Sequence, residues 1–569
     1  MAFDTIIKGG KVVDGSGLPM RSADVGIKAG RITDVGHLTG AKQTIDADGL
    51  MVIPGIIDAH THYDPQLSFE PFATSSCFHG VTSVVGGNCG YSIAPCAKRD
   101  RDWVTALFAK VEGMSPEVLK SGLPWDWESF PSFLDALDRR LGINAACYVG
   151  HSALRRFAMG EAASQRHATG DELETMKKLV REAMAAGAAG FSSSLGPTHV
   201  DQFDKPVPSR HAAFEEVAAL AQAAGEGGAG SIAILPETAV RGLEPIDRDR
   251  LIELGKRSGL PIIIQGMGCR VGKEADWEDQ KRYFAQARDQ GAAIFSMCRS
   301  QPFMRPFTWK RGTSVFDGVF HWRELSACAV EERLRRMKDP SLRRELRHAL
   351  DHPNTDGAKG STLPPPPLAN LFVDRSQRDP AAVGKSIGAL AQERSQHAAD
   401  LICDLAVADG LETQFLWNSE NEAWRTANAA SQSSRHMIIG TGDGGAHADR
   451  DDGSEWSTYY IRSWLLDREL LPIEEGIRRI THLPAVLLGI QDRGLIARGY
   501  AADVVLLDPA RLKLGTKQLV KDLPGGGERW QVRPHGVARV MVNGETIVQN
   551  GELTGTRAGR VLRVGNAAA

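Results

Sequence analysis

Two histidines separated by one residue are the first sign of chemistry in this chain. His60 and His62 follow the mostly apolar run at 54–59. In an extended strand, residues i and i+2 point to the same side, so both imidazoles project together from the end of that strand. Paired neutral imidazoles bind Zn²⁺ and related divalent metals. The spacing therefore predicts a metal site; the alternative is two polar residues placed by chance at a strand end.

A cysteine in a glycine-rich turn is a second candidate ligand. Cys89 lies in the run Gly-Gly-Asn-Cys-Gly at 86–90, directly after an apolar strand pattern. Flanking glycines let the backbone approach a ligand closely, and a cysteine thiolate binds zinc. A buried structural thiol is the alternative interpretation, because the eight cysteines of the chain are scattered without a CxxC pair.

An aspartate in a second glycine-rich turn is the candidate general base. Asp443 follows the strand pattern at 436–441 and is flanked by Gly442 and Gly444. Beside a metal-activated water, a carboxylate there takes the proton as water attacks a carbonyl, and it also serves as a ligand. The alternative is an aspartate that only caps the turn.

The elements that must position these side chains alternate between strands and helices. This alternation favours a parallel α/β fold, and eight strand–helix repeats are the number found in a (β/α)8 TIM barrel. A doubly wound sheet is the alternative, since strand order is invisible in a sequence. The eight predicted strands lie at 56–62, 82–87, 144–149, 189–193, 231–235, 261–265, 292–297 and 436–441.

The two ends of the chain have a different pattern, with short alternating strands and tight turns. We expect residues 1–54 and 495–569 to form one small β-sandwich built from both termini. Residues 55–494 then form the barrel, and 299–435 is an insertion between its seventh and eighth strands. Long insertions at the C-terminal face of a barrel usually cover the active site, so we predict a lid. A structural or oligomerisation arm is the alternative.

Composition narrows the choice of partners and location. With 67 basic and 70 acidic residues the formal net charge is −3, which gives no reason to expect nucleic acid or a membrane surface as partner. The first residues enter a strand-like run without the basic and apolar regions of a signal peptide. We expect a cytoplasmic enzyme that acts on a small-molecule substrate. Whether it is a monomer or a homo-oligomer is left open by the sequence.

Several longer runs together resemble a known family; they lie at 32–62, 79–90, 150–155, 481–485, 492–503 and 542–544. The chain resembles the D-aminoacylase (N-acyl-D-amino-acid deacylase) branch of the amidohydrolase superfamily, amidohydrolase family 3, along nearly its whole length. The resemblance implies a TIM barrel beside a small β-sandwich and hydrolysis of an N-acyl bond on an amino acid. It also implies a zinc site, with His60, His62 and Asp443 in one half and Cys89 in the other.

The chain departs from that family at two strands. In the family the fifth and sixth strands each end in a histidine, which joins the cysteine at zinc. Here Glu237 and Gln265 stand at these positions. We therefore expect one divalent metal ion, zinc, held by His60, His62 and Asp443, with Cys89 as a further ligand. The other outcome is a chain that has lost both metal and hydrolase activity.

Five more residues are candidates for substrate binding. His151 and His199 follow the third and fourth strands, and Arg155 offers a guanidinium fork for a carboxylate. Glu237 and Gln265 occupy the positions without histidine. Loop histidines bonded to backbone and a surface arginine are the alternative interpretations.

The function that these residues predict is metal-dependent hydrolysis of an N-acyl amino acid or related small amide, with Asp443 as general base and acid. The alternatives are a metal-dependent deaminase, lactam hydrolase or ester hydrolase on the same scaffold, or a metal-free homologue that only binds a ligand.

Overall fold

The N-terminal part of the chain is built from five strands. The computed structural model describes residues 3–239, 242–353, 366–446 and 453–565. The turn between the second and third strands has positive φ at Ala29 (49°) and Gly30 (74°). This backbone is that of the tight turn that joins hairpin strands, as the sequence pattern predicts. The strands are β1 (Phe3–Val12), β2 (Arg21–Lys28), β3 (Arg31–Gly36), β4 (Ala41–Asp46) and β5 (Met51–Pro54).

Parallel strands and helices alternate in the next part of the chain. The strands are β6 (Ile56–Asp58), β7 (Val81–Gly86), β8 (Asn144–Cys147), β9 (Val149–Gly150), β10 (Gly190–Ser194), β11 (Ser231–Leu235), β12 (Ile262–Ile264) and β13 (Ile294–Cys298). The helices are α1 (Arg101–Val111), α2 (Pro116–Gly122), α3 (Phe130–Asp138), α4 (His151–Met159), α5 (Gly170–Ala185), α6 (Phe214–Gly225), α7 (Pro245–Ser258) and α8 (Glu274–Asp289). Thr169 starts α5 with a capping box that includes Glu172, the pattern expected before a helix.

A second compact unit comprises Pro302–Arg425 with the short segment Pro197–Val200. It has its own apolar core, in which Trp309, Phe316 and Trp322 pack as stacked and tilted rings. Its strands β14 (Met304–Thr308), β15 (Leu371–Arg375) and β16 (Gln414–Asn418) form an antiparallel sheet with β16 in the middle. Its helices are α9 (Trp322–Ala327), α10 (Val330–Arg336), α11 (Pro340–Asp351), α12 (Ile387–Glu393) and α13 (Ala398–Ala408).

The last parallel strand follows this unit. α14 (Glu422–Gln432) leads into β17 (Met437–Ile439), and α15 (Trp456–Tyr459), α16 (Ile473–Ile480) and α17 (His482–Leu487) come after it. One parallel sheet has the order β17-β13-β12-β11-β10-β9, and another has β6-β7-β8. β8 and β9 are separated by one residue, so a single interrupted strand belongs to both sheets. Each of the eight strands predicted from the sequence has its counterpart in these sheets.

Backbone contacts also connect the first parallel strand with the segment after the last one. The amide of Asp443 donates to the carbonyl of His60 at 3.0 Å, and that of His62 donates to Gly444 at 2.8 Å. Thr61 and Gly444 form a parallel bridge. A shared apolar cluster takes side chains from seven of these strands: Ile57, Val85, Ala146, Ala233, Ile263, Met297 and Ile438.

The C-terminal strands return to the N-terminal ones. They are β18 (Val504–Leu507), β19 (Lys513–Leu514), β20 (Gln518–Leu523), β21 (Gly527–Gln531), β22 (Pro534–His535), β23 (Val537–Val542), β24 (Glu545–Gln549) and β25 (Glu552–Leu553). A nine-stranded sheet has the order β25-β24-β23-β18-β5-β1-β2-β3, with β4 beside β1. Both ends of the chain thus contribute to one β structure, because β18 pairs with both β5 and β23.

The molecule is a mixed α/β protein with a terminal β domain. The first compact unit contains Met1–Gly196, Asp201–Gln301 and Thr426–Ala569, and so includes both the parallel sheets and the terminal sheet. The predicted insertion at 299–435 includes residues 354–365, which lie outside the described residues. Among the helices that the structure describes, none has the length and apolar character needed to cross a membrane.

Candidate metal centre

The ring nitrogens of two histidines meet one aspartate oxygen at the ends of the parallel strands. His60 Nε2 lies 3.2 Å from Asp443 Oδ1, and His62 Nε2 lies 3.7 Å from the same oxygen. Both histidine side chains are nearly fully buried, whereas that of Asp443 is 23% exposed. The i, i+2 spacing therefore does what the sequence predicts, although β6 ends at Asp58 and both histidines follow it.

The backbone around Asp443 is held in an uncommon conformation. Asp443 has a φ of 53°, in the left-handed region that non-glycine residues rarely adopt. A side chain at Gly442 would collide with Asp58, because its Cβ would lie 2.1 Å from Asp58 Oδ2. Asp58 accepts a hydrogen bond of 2.8 Å from Trp456 Nε1, and its burial raises its pKa to about 7. The glycine run is thus needed for close packing as well as for turning the chain.

Cys89 reaches the same place from the end of β7. Its Sγ lies 3.7 Å from His60 Nε2, and the ligand atoms of His60, His62 and Cys89 all lie within 4.8 Å of one another. Like Asp443, Cys89 has a left-handed backbone, with φ 55°. Gly87 before it has φ 72°, and its Cβ would lie 2.1 Å from the Tyr148 carbonyl oxygen. Sequence reasoning identified all four of these residues; the structure brings His60, His62 and Cys89 together and places Asp443 beside the two histidines.

The donor set fits a zinc-type ion. Ligand atoms held tetrahedrally at about 2.0–2.3 Å from a metal are roughly 3.3–3.8 Å apart. The observed separations of 3.2 Å and 3.7 Å from His60 Nε2, to Asp443 and Cys89, are close to these values. Burial, with Glu112 and Asp443 nearby, raises the pKa of the Cys89 thiol. A cation bound here would oppose this shift and favour the thiolate, because a thiol that coordinates a metal is deprotonated.

Glu112 is a neighbour of the cluster that sequence reasoning missed. It follows α1 directly, is 3% exposed, and places Oε1 3.3 Å from His62 Nδ1. A carboxylate on the far nitrogen of a ligating histidine fixes the ring orientation and raises its basicity. No local motif marks Glu112, since it lies at an ordinary helix end 50 residues after His62.

Gln265 also contacts the cluster, at the end of β12. Its Oε1 accepts a 3.1 Å hydrogen bond from the backbone amide of Cys89, and its Nε2 donates to Asn88 Oδ1 at 2.6 Å. Gln265 is 2% exposed. The prediction of a substrate contact at this position stays a prediction, but the structure shows the amide already engaged with the Cys89 turn.

His151 and Arg155 belong to a different buried network. His151 Nδ1 lies 2.9 Å from Ser193 Oγ, and Nε2 lies 2.9 Å from Glu216 Oε1. Arg155 is fully buried and contacts Glu216 at 2.5 Å and 2.6 Å, while the carbonyls of Ala163 and Arg166 accept its remaining donors. The predicted substrate contacts of these two residues stay predictions, and they would require this network to open.

The remaining two candidates are less buried. His199 is half-buried in the segment Pro197–Val200 that groups with the second unit. Glu237 is 60% exposed and lies 3.9 Å from Arg250 Nη1. The structure does not join Glu237 to the cluster of His60, His62 and Cys89.

Comparison with known proteins places the chain in a family. The model of the amidohydrolase family matches residues 43–351 and 436–548. These ranges cover most of the chain and contain every residue of the cluster. The chain belongs to the amidohydrolase family.

Named relatives and solved structures are similar over nearly the full length. A D-aminoacylase of Alcaligenes xylosoxydans xylosoxydans is 28% identical, with 98% of this chain and 97% of that protein aligned. An N-acyl-D-glutamate deacylase of the same organism is 27% identical over 99% of this chain and 96% of that protein. The structure of N-acyl-D-glutamate deacylase from Bordetella bronchiseptica, complexed with zinc and a phosphonate inhibitor, has a TM-score of 0.65 at 23% identity, covering 99% and 100% of the chains. This likeness supports the amidohydrolase fold of a barrel with a β domain.

Proposed function

We propose that this protein is a metal-dependent hydrolase that cleaves the amide bond of N-acyl amino acids. The observation that carries the proposal is the convergence of two imidazole nitrogens, a carboxylate oxygen and a thiol at the ends of parallel strands. The relatives named for N-acyl-D-amino-acid substrates support an amino-acid product, and they favour the D configuration.

The fold proposed to carry this site is a closed barrel of eight parallel strands. The bridge between Thr61 and Gly444, with its two flanking hydrogen bonds, supports closure between the first and last strands. Residues 1–54 and 495–569 form the β-sandwich beside it, and 55–494 the catalytic domain. The lid role of the insertion at 299–435 stays a prediction from the sequence.

A single zinc ion is the proposed cofactor. Its ligands are His60, His62 and Asp443, with Cys89 as the fourth. The ends of β11 and β12 offer Glu237 and Gln265 in place of histidines. Because Gln265 is held by the Cys89 turn and Glu237 points to Arg250, the described residues support one ion rather than two. A relative is described with a binuclear metal center, so the number of ions is a point on which this chain is expected to differ.

The side chains of the site divide the chemical work. A divalent metal held by His60, His62 and Asp443 would supply a Lewis acid for the scissile carbonyl and for the attacking water. Asp443 accepts the proton of that water and returns it to the leaving nitrogen. Its Oδ1 faces His60 and His62, so Oδ2 is the atom that carries the proton. The partial exposure of Asp443 admits water, while burial of the imidazoles holds them in place.

The test combines metal analysis with a substrate panel. Purified protein is analysed by mass spectrometry for zinc and assayed with N-acyl D- and L-amino acids, esters and aminated heterocycles. We expect stoichiometric zinc and release of free amino acid. Asp443→Asn should lower kcat by about 10²–10⁴-fold, as for loss of a general base. Asp467→Asn, a surface aspartate paired with Arg462, is the control and should leave the rate unchanged. Protein without metal whose amidase rate is indifferent to Asp443→Asn would refute the proposal.

A further inference from the structure

We propose that Gln265 is a positioning residue that sets the position of the Cys89 thiol. Together with Asn88 it forms an amide clamp (Gln265 and Asn88) that fixes the turn bearing Cys89 against the strand segment bearing His60 and His62. This inference rests on the proposed function only in taking Cys89 as a metal ligand. It assigns Gln265 a role in shaping the metal site rather than in contacting substrate.

The hydrogen bonds of the amide clamp allow one orientation of both amides. Asn88 Nδ2 donates to the carbonyls of Val85 at 2.8 Å and Thr61 at 3.3 Å, so its Oδ1 is the acceptor. Gln265 Nε2 must then be the group that donates to Asn88 Oδ1, at 2.6 Å. This leaves Gln265 Oε1 to accept from the backbone amide of Cys89, at 3.1 Å. Rotating either amide by half a turn would place two donors or two acceptors against each other.

The clamp joins the two parts of the ligand set. Thr61, which accepts from Asn88, lies between His60 and His62 in the chain, and its own amide donates to Val85 at 3.1 Å. Gln265 directly follows β12 and lies 176 residues beyond Cys89 in the chain. One continuous chain of hydrogen bonds therefore runs from Gln265 through Asn88 to the backbone between the two histidines.

Burial and backbone strain make the clamp necessary. Asn88 is 1% exposed and Gln265 is 2% exposed, so water does not replace a lost partner without rearrangement. Cys89 has φ 55°, a conformation that costs free energy and persists only where surrounding contacts hold it. The backbone amide of Cys89 donates its hydrogen bond to Gln265 Oε1, so Gln265 holds the strained residue directly. Without it, the backbone amide of Cys89 loses its partner, and the thiol can move away from His60 Nε2.

Cobalt substitution reports the thiol directly. With Co²⁺ in place of zinc, a thiolate ligand gives a sulfur-to-metal charge-transfer band, while the d–d bands report the other ligands. We expect wild-type protein to show both. Gln265→Met, which keeps the length of the side chain and removes both hydrogen bonds, should lose most of the charge-transfer band and keep the d–d bands. Its zinc Kd should rise about 10–100-fold, the usual effect of removing a group that orients a ligand.

Two further variants keep the test decisive. Gln280→Met replaces a buried glutamine on α8 that does not contact Cys89, and it should leave band and Kd unchanged. Gln265→Glu keeps an acceptor for the Cys89 amide but places an oxygen against Asn88 Oδ1. This variant should keep a weakened charge-transfer band. It provides the test of the clamp if Gln265→Met does not fold.

The outcomes separate this inference from the proposed function. A wild-type charge-transfer band that persists at full strength in the Gln265 variants overturns the clamp and leaves the hydrolase standing. Wild-type protein that binds Co²⁺ and hydrolyses substrate without a charge-transfer band overturns it too, because Cys89 is then not a ligand. Wild-type protein that binds no metal refutes both proposals.

Discussion

Single residues of this site combine strain with chemistry. Cys89 and Asp443 both have left-handed backbones, with φ of 55° and 53°. Each such residue costs on the order of 1–3 kcal/mol, which the surrounding contacts must offset. The neighbouring glycines make the turns possible, and hydrogen bonds to His60 and Gln265 hold them. The strain is concentrated at Cys89 and Asp443, the two candidate ligands that lie in glycine-rich turns.

Glu112 offers a prediction at the scale of one residue. Because its Oε1 lies 3.3 Å from His62 Nδ1, Glu112→Gln should let the imidazole rotate and should weaken zinc binding by about 10–100-fold. Competition with a chromogenic chelator measures the zinc Kd. Glu117→Gln, an exposed glutamate on α2, is the matched control. Equal zinc affinity in Glu112→Gln and wild type would mean that Glu112 does not orient His62.

At the scale of elements, the ends of β9 and β10 are connected by a buried charge network. Ser193 on β10 and Glu216 on α6 contact both nitrogens of His151, the first residue of α4. Burial raises the pKa of Glu216, but hydrogen bonding and charge from His151 and Arg155 outweigh it and hold this pKa at about 2. The network joins two helices to a strand through buried polar and charged side chains.

This network predicts a pH dependence of stability. A carboxyl whose folded-state pKa is lowered stabilises the fold above its unfolded pKa of about 4.3, and this stabilisation is lost as the pH falls through the folded value. With Glu216 near 2, the loss falls between these two values. Glu216→Gln should flatten that part of the profile and should cost about 3–5 kcal/mol at neutral pH, since Arg155 is left buried without its counter-charge.

Urea unfolding of wild type and variant across acid and neutral pH measures the Glu216 effect. Glu215→Gln is the adjacent control: its carboxylate is 73% exposed and pairs with Arg257 at the surface. The control should follow the wild-type profile. A Glu216→Gln variant as stable as wild type at neutral pH would contradict the role assigned to this network.

At the scale of the whole molecule, the β domain and the parallel strands share a buried ion pair. Asp503, just before β18, accepts from Arg493 at 2.9 Å and from Asn144 on β8 at 2.8 Å. Its other oxygen accepts from the amide of Asn543 at 2.7 Å. Burial raises the pKa of Asp503, although Arg493 opposes the shift. Sequence-distant segments are thereby tied through one carboxylate.

Asp503→Asn should destabilise the whole chain rather than one part. The variant removes the close counter-charge of the buried Arg493 and leaves only Asp492, 3.9 Å away, so it should lower the free energy of unfolding by about 3–5 kcal/mol. Asp492→Asn removes a half-exposed aspartate beside the same arginine and should cost about 0–1 kcal/mol. Denaturant unfolding followed by circular dichroism compares the two variants. Similar losses in both, or none in Asp503→Asn, would show that this ion pair does not hold the domains together.

The sequence by itself determined the elements and the types of ligand. Apolar runs of strand length and glycine-rich turns are local patterns, and they placed His60, His62, Cys89 and Asp443 at strand ends. Hairpin turns and alternation likewise marked both termini as β structure, and the nine-stranded sheet contains strands from both ends of the chain. Such patterns are readable because backbone period and turn geometry depend on neighbours a few residues away.

Only the tertiary structure decided which side chains meet. Strand order brought Gln265 to the Cys89 amide and Glu112 to His62, and it turned His151 and Arg155 towards Glu216. These contacts join residues far apart in the chain, where hydrogen bonding depends on packing rather than on local pattern. The physical reason is burial: a polar side chain enclosed by packing must find its partner inside the protein, and the sequence does not state which partner lies there.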